Sequence, residues 1–378
     1  MILESYESIL INSIPHAFPM SAMRMIIFCV CHIIHSLHNF IKFFKIGFSN
    51  QPGCAIIEKN VRRQNMRIFT ITTNDAGQRL DKFLTKLMPS MPKGMLYKLI
   101  RKKDIRLNQA RCKGTEILRE GDTVRIFAKE EFFANHSNLH FMPASGKPDV
   151  LYEDDSILIA YKPSRMYAHN GEDGVVSLLD EIQKYLYEKG TYLPEQEHTF
   201  APALCNRIDR NTEGLVIEAK TAAALRDMNE AIRERKVHKH YLAITAAPLP
   251  GQHETCTAWL KKVERQVQVA DTPADPSWKR IVTEYRVLAQ SGRMQLVQVT
   301  LHTGRTHQIR AHLASLGAPI LGDPKYGQLA SAEENQCLCA WSLSFTGLAG
   351  TAVAALDGRT VTVPAPEFVR RYFPDAAI

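Results

Sequence analysis

The sequence predicts a protein of mixed helices and strands in two domains, a small basic module followed by a larger domain. Three observations carry this. A chain of 378 residues exceeds one small module and suits two domains. Residues 77–114 hold eleven lysines and arginines against two aspartates, a net +9 that exceeds the +8 of the whole chain. From Val150 onward, strand and helix patterns alternate to the end of the chain.

Composition removes several classes. With 45% hydrophobic and 23% charged residues, the chain is neither wholly disordered nor low-complexity. Its eight cysteines are too sparse for a disulfide scaffold and include no C-x-x-C pair, which points to a reducing, intracellular setting without a zinc ribbon. The positive charge, with a pI near 9.0, favours an acidic partner, nucleic acid first.

The N-terminus reads separately. Met25–Ile34 is the most apolar run, about ten residues where a bilayer span needs roughly 20. His32, His35 and His38 interrupt it, and no small-residue cleavage site follows, which argues against a signal peptide. A membrane-seeking amphipathic segment is the alternative. The preferred expectation is that 1–65 is a dispensable extension or a mis-assigned start, with the first compact domain at 66–129.

Within that domain Leu80, Phe83, Leu84 and Leu87 fall at i, i+3, i+4 and i+7, one stripe of a short helix ended by Pro89 and Pro92. A second helix carries Met95, Leu96, Leu99 and Ile100, with Lys98, Arg101, Lys102 and Lys103 beside them. Ile105 to Leu107, which includes Arg106, reads as a strand before an Asn108-Gln109 turn, and Glu120-Gly121-Asp122 turns into the strand Thr123–Ile126. So dense a charge is either a solvated helix face or a phosphate-binding surface, and its concentration in one stretch favours phosphate. Residues 130–148 lack periodicity and read as a linker pinned by Phe132 and Phe133.

In the larger domain, 149–378, Val150–Tyr152 and Ile157–Tyr161 read as a hairpin followed by Lys162-Pro163. Ser177–Leu186 reads as a helix, and Thr221 caps another that carries Leu225, Met228 and Ile232. His238–Ile244 is a strand with Lys239 and Tyr241 on one face, and Arg293–Leu301 is another. After it Thr306 is placed to cap a helix with Ile309, Leu313 and Leu316 on its core face, while His307 and Arg310, three apart, share a different one.

Several side chains here carry chemistry. Asp209 lies between Arg207 and Arg210, and flanking positive charge suits either a nucleophilic carboxylate or a structural ion pair in a turn. Tyr241 on a strand fits a core aromatic equally well, and Gly304-Arg305 fits a plain turn. His302, His307 and His312 recur at intervals of five, which does not gather metal ligands on one helical face.

Asn206-Arg-Ile-Asp-Arg-Asn-Thr-Glu-Gly214 resembles the signature of the RluA-type pseudouridine synthases, usually His-Arg-Leu-Asp, two variable residues and Thr-Ser-Gly. Further blocks follow in family order: Tyr152 through Lys162-Pro163 to His169, Lys239–Ala243, Leu301–Arg310 and Leu321–Gly327. Asn206, Glu213 and Arg165 depart from the pattern, the last where glycine is expected. The preceding basic module resembles the small α/β S-four RNA-binding domain. The resemblance implies an α+β catalytic domain built on a mixed, largely antiparallel sheet with flanking helices, and isomerisation of uridine in RNA without metal or cofactor. It implies a flipped target uridine, Asp209 as nucleophile, Tyr241 stacked on the uracil, and Arg310 paired with Asp209 through a bidentate guanidinium. Arg207, Arg305 and Lys162, with Lys98, Arg101, Lys102, Lys103 and Arg106 of the module, are the expected RNA contacts. Ribosomal RNA is the expected substrate of a cytoplasmic monomer with no membrane partner. A transfer-RNA synthase and a catalytically silent assembly factor are the alternatives.

Overall fold

The computed structural model describes residues 66–133, 139–169, 174–264, 266–327 and 333–378. The expectations for 1–65 lie outside the described residues. Among the described residues, no helix is long and apolar enough to cross a membrane. Compactness divides the chain into two units, Met1–Arg67 with Ile126–Glu130, and Ile68–Arg125 with Glu131–Ile378. Strands β1 (Met66–Thr70) and β4 (Thr123–Phe127) run across that division. In the first unit Arg67 pairs with Glu130.

The basic module follows the sequence pattern closely. Helix α1 (Leu80–Leu87) buries Leu80, Phe83, Leu84 and Leu87, the predicted stripe. Helix α2 (Lys93–Arg101) starts directly after Pro92, whose fixed φ suits a helix entry, and buries Leu96 and Ile100. Strands β2 (Ile105–Leu107) and β3 (Ala110–Arg111) form a two-residue hairpin in which Asn108 and Gln109 have φ of 48° and 65°. Positive φ at both central positions is the primed turn that matches strand twist. Asp81, nearly buried, is forked by Arg79 at 3.1 and 2.7 Å and receives the Tyr97 hydroxyl at 2.9 Å.

In the linker Phe133 is buried and stacks on Phe69, as expected, while Phe132 is only half-buried. The stronger anchor is Phe141, 1% exposed against Tyr187 and Tyr192. Polar bonds tie the basic module to the chain beyond it: Asn74 Nδ2 donates to Glu197 at 2.7 Å, and Thr199 Oγ1 donates to the buried Asp75 at 2.7 Å.

The catalytic candidate region is a mixed sheet. Its strands are β5 (Asp149–Glu153), β6 (Ile157–Lys162), β7 (Ala203–Leu204), β8 (Glu213–Ala219), β9 (Val237–Thr245), β10 (His253–Val263), β11 (Gln266–Ala270), β12 (Lys279–Ser291), β13 (Met294–Leu301), β14 (Leu338–Phe345) and β15 (Thr360–Thr362). The order is β11-β10-β12-β13-β9-β14-β8-β6-β5, with β15 beside β14 and β7 beside β8. Among the described pairings of this sheet only β14 with β8 is parallel. Helices α3 (Leu178–Glu188), α4 (Ala222–Arg233), α5 (Gln308–Ser315) and α6 (Glu367–Tyr372) flank it.

Successive side chains of a strand face opposite ways, so both faces of the central strands are buried. Ile157, Ile159, Leu215, Ile217 and Leu242 lie with Ala224 and Met228 of α4. Leu158, Ala160, Val216, Tyr241 and Val299 lie with Ile182 of α3 and Ile309 and Leu313 of α5. Helix α3 begins in a capping box of Ser177 and Asp180, and Thr221 Oγ1 accepts Ala224 N–H at 3.1 Å, as its predicted role requires.

Candidate active site

Asp209 sits in the short loop between β7 and β8. Asn206 closes the start of that loop by imitating a strand: its Oδ1 accepts the Ile217 N–H at 2.7 Å. At the other end Thr212 N–H donates to the Asp209 carbonyl at 3.1 Å, and Thr212 Oγ1, buried, accepts from Gln336 at 2.7 Å. Gly214 then enters β8 with φ +117°, and a Cβ there would stand 2.3 Å from the Ala340 carbonyl oxygen. Only glycine permits that approach. Ala340 in turn pairs with Tyr241 on its other side. One rung across three strands, Gly214–Ala340–Tyr241, therefore brings the Asp209 loop beside the tyrosine.

The third element is α5. Arg310 Nη1 donates to Asp209 Oδ2 at 2.8 Å, the pair the resemblance implied. Its bidentate fork, however, grips Asp323 instead: Nε meets Oδ2 and Nη2 meets Oδ1, each at 2.8 Å. The bond to Asp209 is single. The side chain of Asp323 is fully buried and that of Arg310 is 7% exposed, while Asp209 keeps 26%. Burial pulls the Arg310 pKa down, but the hydrogen bonds and charges of Asp323 and then Asp209 outweigh it and leave it raised.

His307 adds a group the sequence reading did not assign. Its Nε2 lies 3.8 Å from Asp209 Oδ2, and its Nδ1 lies 2.8 Å from the Tyr326 hydroxyl. That hydroxyl accepts the Val267 N–H at 3.1 Å, which leaves its own proton to donate to Nδ1. The tautomer so favoured points Nε2–H at the carboxylate. Burial lowers the His307 pKa, against the Asp209 charge that raises it.

The expected cap at Thr306 is replaced. His307 is the residue preceding α5, in left-handed conformation with φ 56° and no side-chain cap. The Gln308 amide instead braces the turn before the helix: its oxygen accepts from Thr303 Oγ1 and Arg305 N–H, and its nitrogen donates to the Val282 carbonyl and Thr283 Oγ1. Arg165 likewise adopts φ 68° in spite of its side chain, and Arg210 Nε donates to its carbonyl at 3.1 Å.

Tyr241 is buried on β9, and burial, followed by the Asp209 charge, raises its phenol pKa. Arg207 and Arg305, expected to contact RNA, are exposed, and so are Lys98, Arg101, Lys102 and Lys103 on and after α2; Arg106 is half-buried. Lys162 is a correction. It is 0% exposed, and its ammonium donates to the carbonyls of Pro163, Met166 and Arg210 at 2.7, 2.8 and 2.9 Å. No phosphate reaches it. Burial pulls its pKa down to about 7 against the charges of Asp209 and Glu213, but three acceptors match the three N–H donors of the ammonium form. Its task is to tie the Asp209 loop to the segment after β6. Glu213, the other departure, accepts the Tyr161 hydroxyl at 2.7 Å.

Residues 156–315 match the family model described as RNA pseudouridylate synthase. The chain is 33% identical over 267 residues to "Ribosomal large subunit pseudouridine synthase C" of Escherichia coli (strain K12), covering 70% of this chain and 80% of that one. It is 32% identical over 269 residues to the protein of the same name from Haemophilus ducreyi, covering 70% and 81%. Among solved structures, "Human RNA Pseudouridylate Synthase Domain Containing 1" aligns over 61% of this chain and 89% of that one, at 20% identity and a TM-score of 0.48.

Proposed function

Since the chain belongs to the RluA-type RNA pseudouridylate synthases, it is an RNA-modifying isomerase, and we propose that it converts uridines of large-subunit ribosomal RNA with Asp209 as the reacting carboxylate. The target follows the relatives named for that substrate. The observation that supports the residue is the Arg310–Asp209 bond at 2.8 Å, on a carboxylate still 26% exposed beside a buried tyrosine. Asp209 attacks the nucleoside, the uracil detaches and turns, and the ring rejoins the sugar through carbon five. Tyr241 packs on the uracil, and its hydroxyl lies toward the proton that carbon five must lose. Arg207 and Arg305, exposed on loops flanking the carboxylate, hold the RNA. The basic module of 66–129 supplies a second, phosphate-directed grip through Lys98, Arg101, Lys102 and Lys103. The enzyme acts as a cytoplasmic monomer.

Asp209→Asn keeps the size of the side chain and removes the anionic oxygen. Tritium release from RNA labelled at carbon five of uridine should fall below detection, while the thermal melt and RNA affinity stay near those of the parent. A purely structural pair predicts the opposite, a stability loss of about 3–5 kcal/mol with activity retained per folded molecule.

A further inference from the structure

Arg310 has two carboxylate partners, and the one that holds it harder stands away from the loop that bears Asp209. Asp323 takes two of its hydrogen bonds at 2.8 Å with a fully buried side chain; Asp209 takes one. Asp323 is itself fixed, since its Oδ1 also accepts the backbone N–H of Lys325 at 2.8 Å and of Tyr326 at 3.2 Å. The Tyr326 ring lies 5.3 Å from the guanidinium carbon. This geometry exceeds what orienting one carboxylate needs.

The chemistry of the proposed reading, on which this inference rests, supplies a reason. If Asp209 forms a bond to carbon one of the ribose, its electron pair enters that bond and the pair of the broken carbon–nitrogen bond leaves on the uracil. If it takes the proton from carbon two of the sugar instead, the pair of that carbon–hydrogen bond forms a double bond to carbon one as the uracil leaves with the carbon–nitrogen pair, and Asp209 becomes a neutral acid. Either way the carboxylate beside Arg310 loses its charge. A guanidinium as buried as Arg310 with no other partner would then be an uncompensated cation, which is among the costliest states a protein interior can hold. We propose that Asp323 is a positioning residue that keeps Arg310 paired while the charge of Asp209 is consumed, so that the transition state is reached without stranding a buried cation. Asp323 does not touch substrate. It acts through Arg310.

The test uses the full chain, an RNA fragment tritiated at carbon five, and single-turnover release. Asp323→Asn keeps the shape and an acceptor for the two backbone amides. It should slow release about a hundredfold, the order set by a buried charge left partly unpaired, while RNA affinity stays within about twofold. A variant that melts lower but releases tritium at the parental rate per folded molecule would overturn the proposal, because a merely structural pair predicts that result. Should Asp323→Asn fail to fold, Asp209→Ala decides. With Asp323 holding Arg310, its melt should stay within about 2 °C of the parent, and a fall of roughly 8 °C or more would show that Asp323 does not keep Arg310 paired. Absence of release by the parent chain would sink the functional reading and this proposal together, whereas parental rates in Asp323→Asn sink this one alone.

Discussion

Gly214 is where backbone geometry and catalysis meet most directly, and Gly214→Ala puts a magnitude on it. An added Cβ would lie 2.3 Å from the Ala340 oxygen and 2.6 Å from its nitrogen, whereas ordinary contact begins at 3.4 Å. Backbone atoms cannot rotate aside as a side chain would, so β8 and β14 must part by about 1 Å at the only parallel pairing among the described strands of the sheet. A φ of +117° adds strain for any L-residue, of order 1–3 kcal/mol. Forcing packed strands apart adds a similar ~1–3 kcal/mol. The melt should therefore fall by roughly 5–20 °C at the ~2–4 °C per kcal/mol of a domain this size. Because Asp209 lies five residues before Gly214 and Tyr241 pairs with Ala340, the same 1 Å displaces the carboxylate proposed to react from the ring. Misplacement on that scale costs about a hundredfold in rate. Differential scanning calorimetry and tritium release, normalised to folded protein at a temperature where the variant is native, separate the two effects. Parental activity per folded molecule would refute the argument that this rung sets the geometry of the site.

Lys162→Met should cost roughly 3 kcal/mol or more, since three carbonyls lose their donor, yet leave the salt dependence of RNA binding unchanged; urea unfolding and filter binding check both halves. Replacing Arg101, Lys102 and Lys103 with neutral residues should instead flatten the log–log salt slope of binding by about 2–3, with turnover on a short saturating RNA preserved, and an unchanged slope would reduce these residues to a solvated face. Glu218 is fully buried with neither carboxylate oxygen bonded among the described residues, and burial raises its pKa well above 4.5. The folded chain thus keeps a proton the unfolded chain releases, and stability is lost as pH rises from about 4.5 through the raised value. Glu218→Gln should melt higher than the parent near pH ~8, with the gap closing toward pH ~4; a gap independent of pH would show that ionisation is not the cause.

What the sequence disclosed was whatever lay within one stretch of chain. Asp209, Tyr241 and Arg310 each sit in a contiguous motif, and α1 and α4 announce themselves by stripes and, for α4, the Thr221 cap. What it concealed required two distant segments. Asp323 lies in a block visible in the sequence, but only folding shows that its carboxylate, and not that of Asp209, takes the fork of Arg310. Lys162 looked like a phosphate ligand because a lysine near a motif usually is solvated, and nothing local reveals three converging carbonyls. Thr306 obeyed the capping rule, but the helix starts after His307 with no side-chain cap, and the four hydrogen bonds of Gln308 brace the turn before it. Strand β10 was missed because most of it is exposed and it buries only Ala258 and Leu260, too few to show a pattern.

On the proposed reading, the charge of Asp209 bears on both Tyr241 and Arg310. While Asp209 is ionised, its charge and the burial around β9 hold the Tyr241 phenol in its protonated form. Burial is the larger cause and remains, so neutralising Asp209 in the proposed reaction would lower the phenol pKa only in part. Arg310 does not undo this by swinging toward the tyrosine, because Asp323 keeps two of its donors occupied throughout. In the proposed reaction, a site with Arg310 paired to Asp209 alone would instead leave that guanidinium without a partner once the carboxylate is consumed.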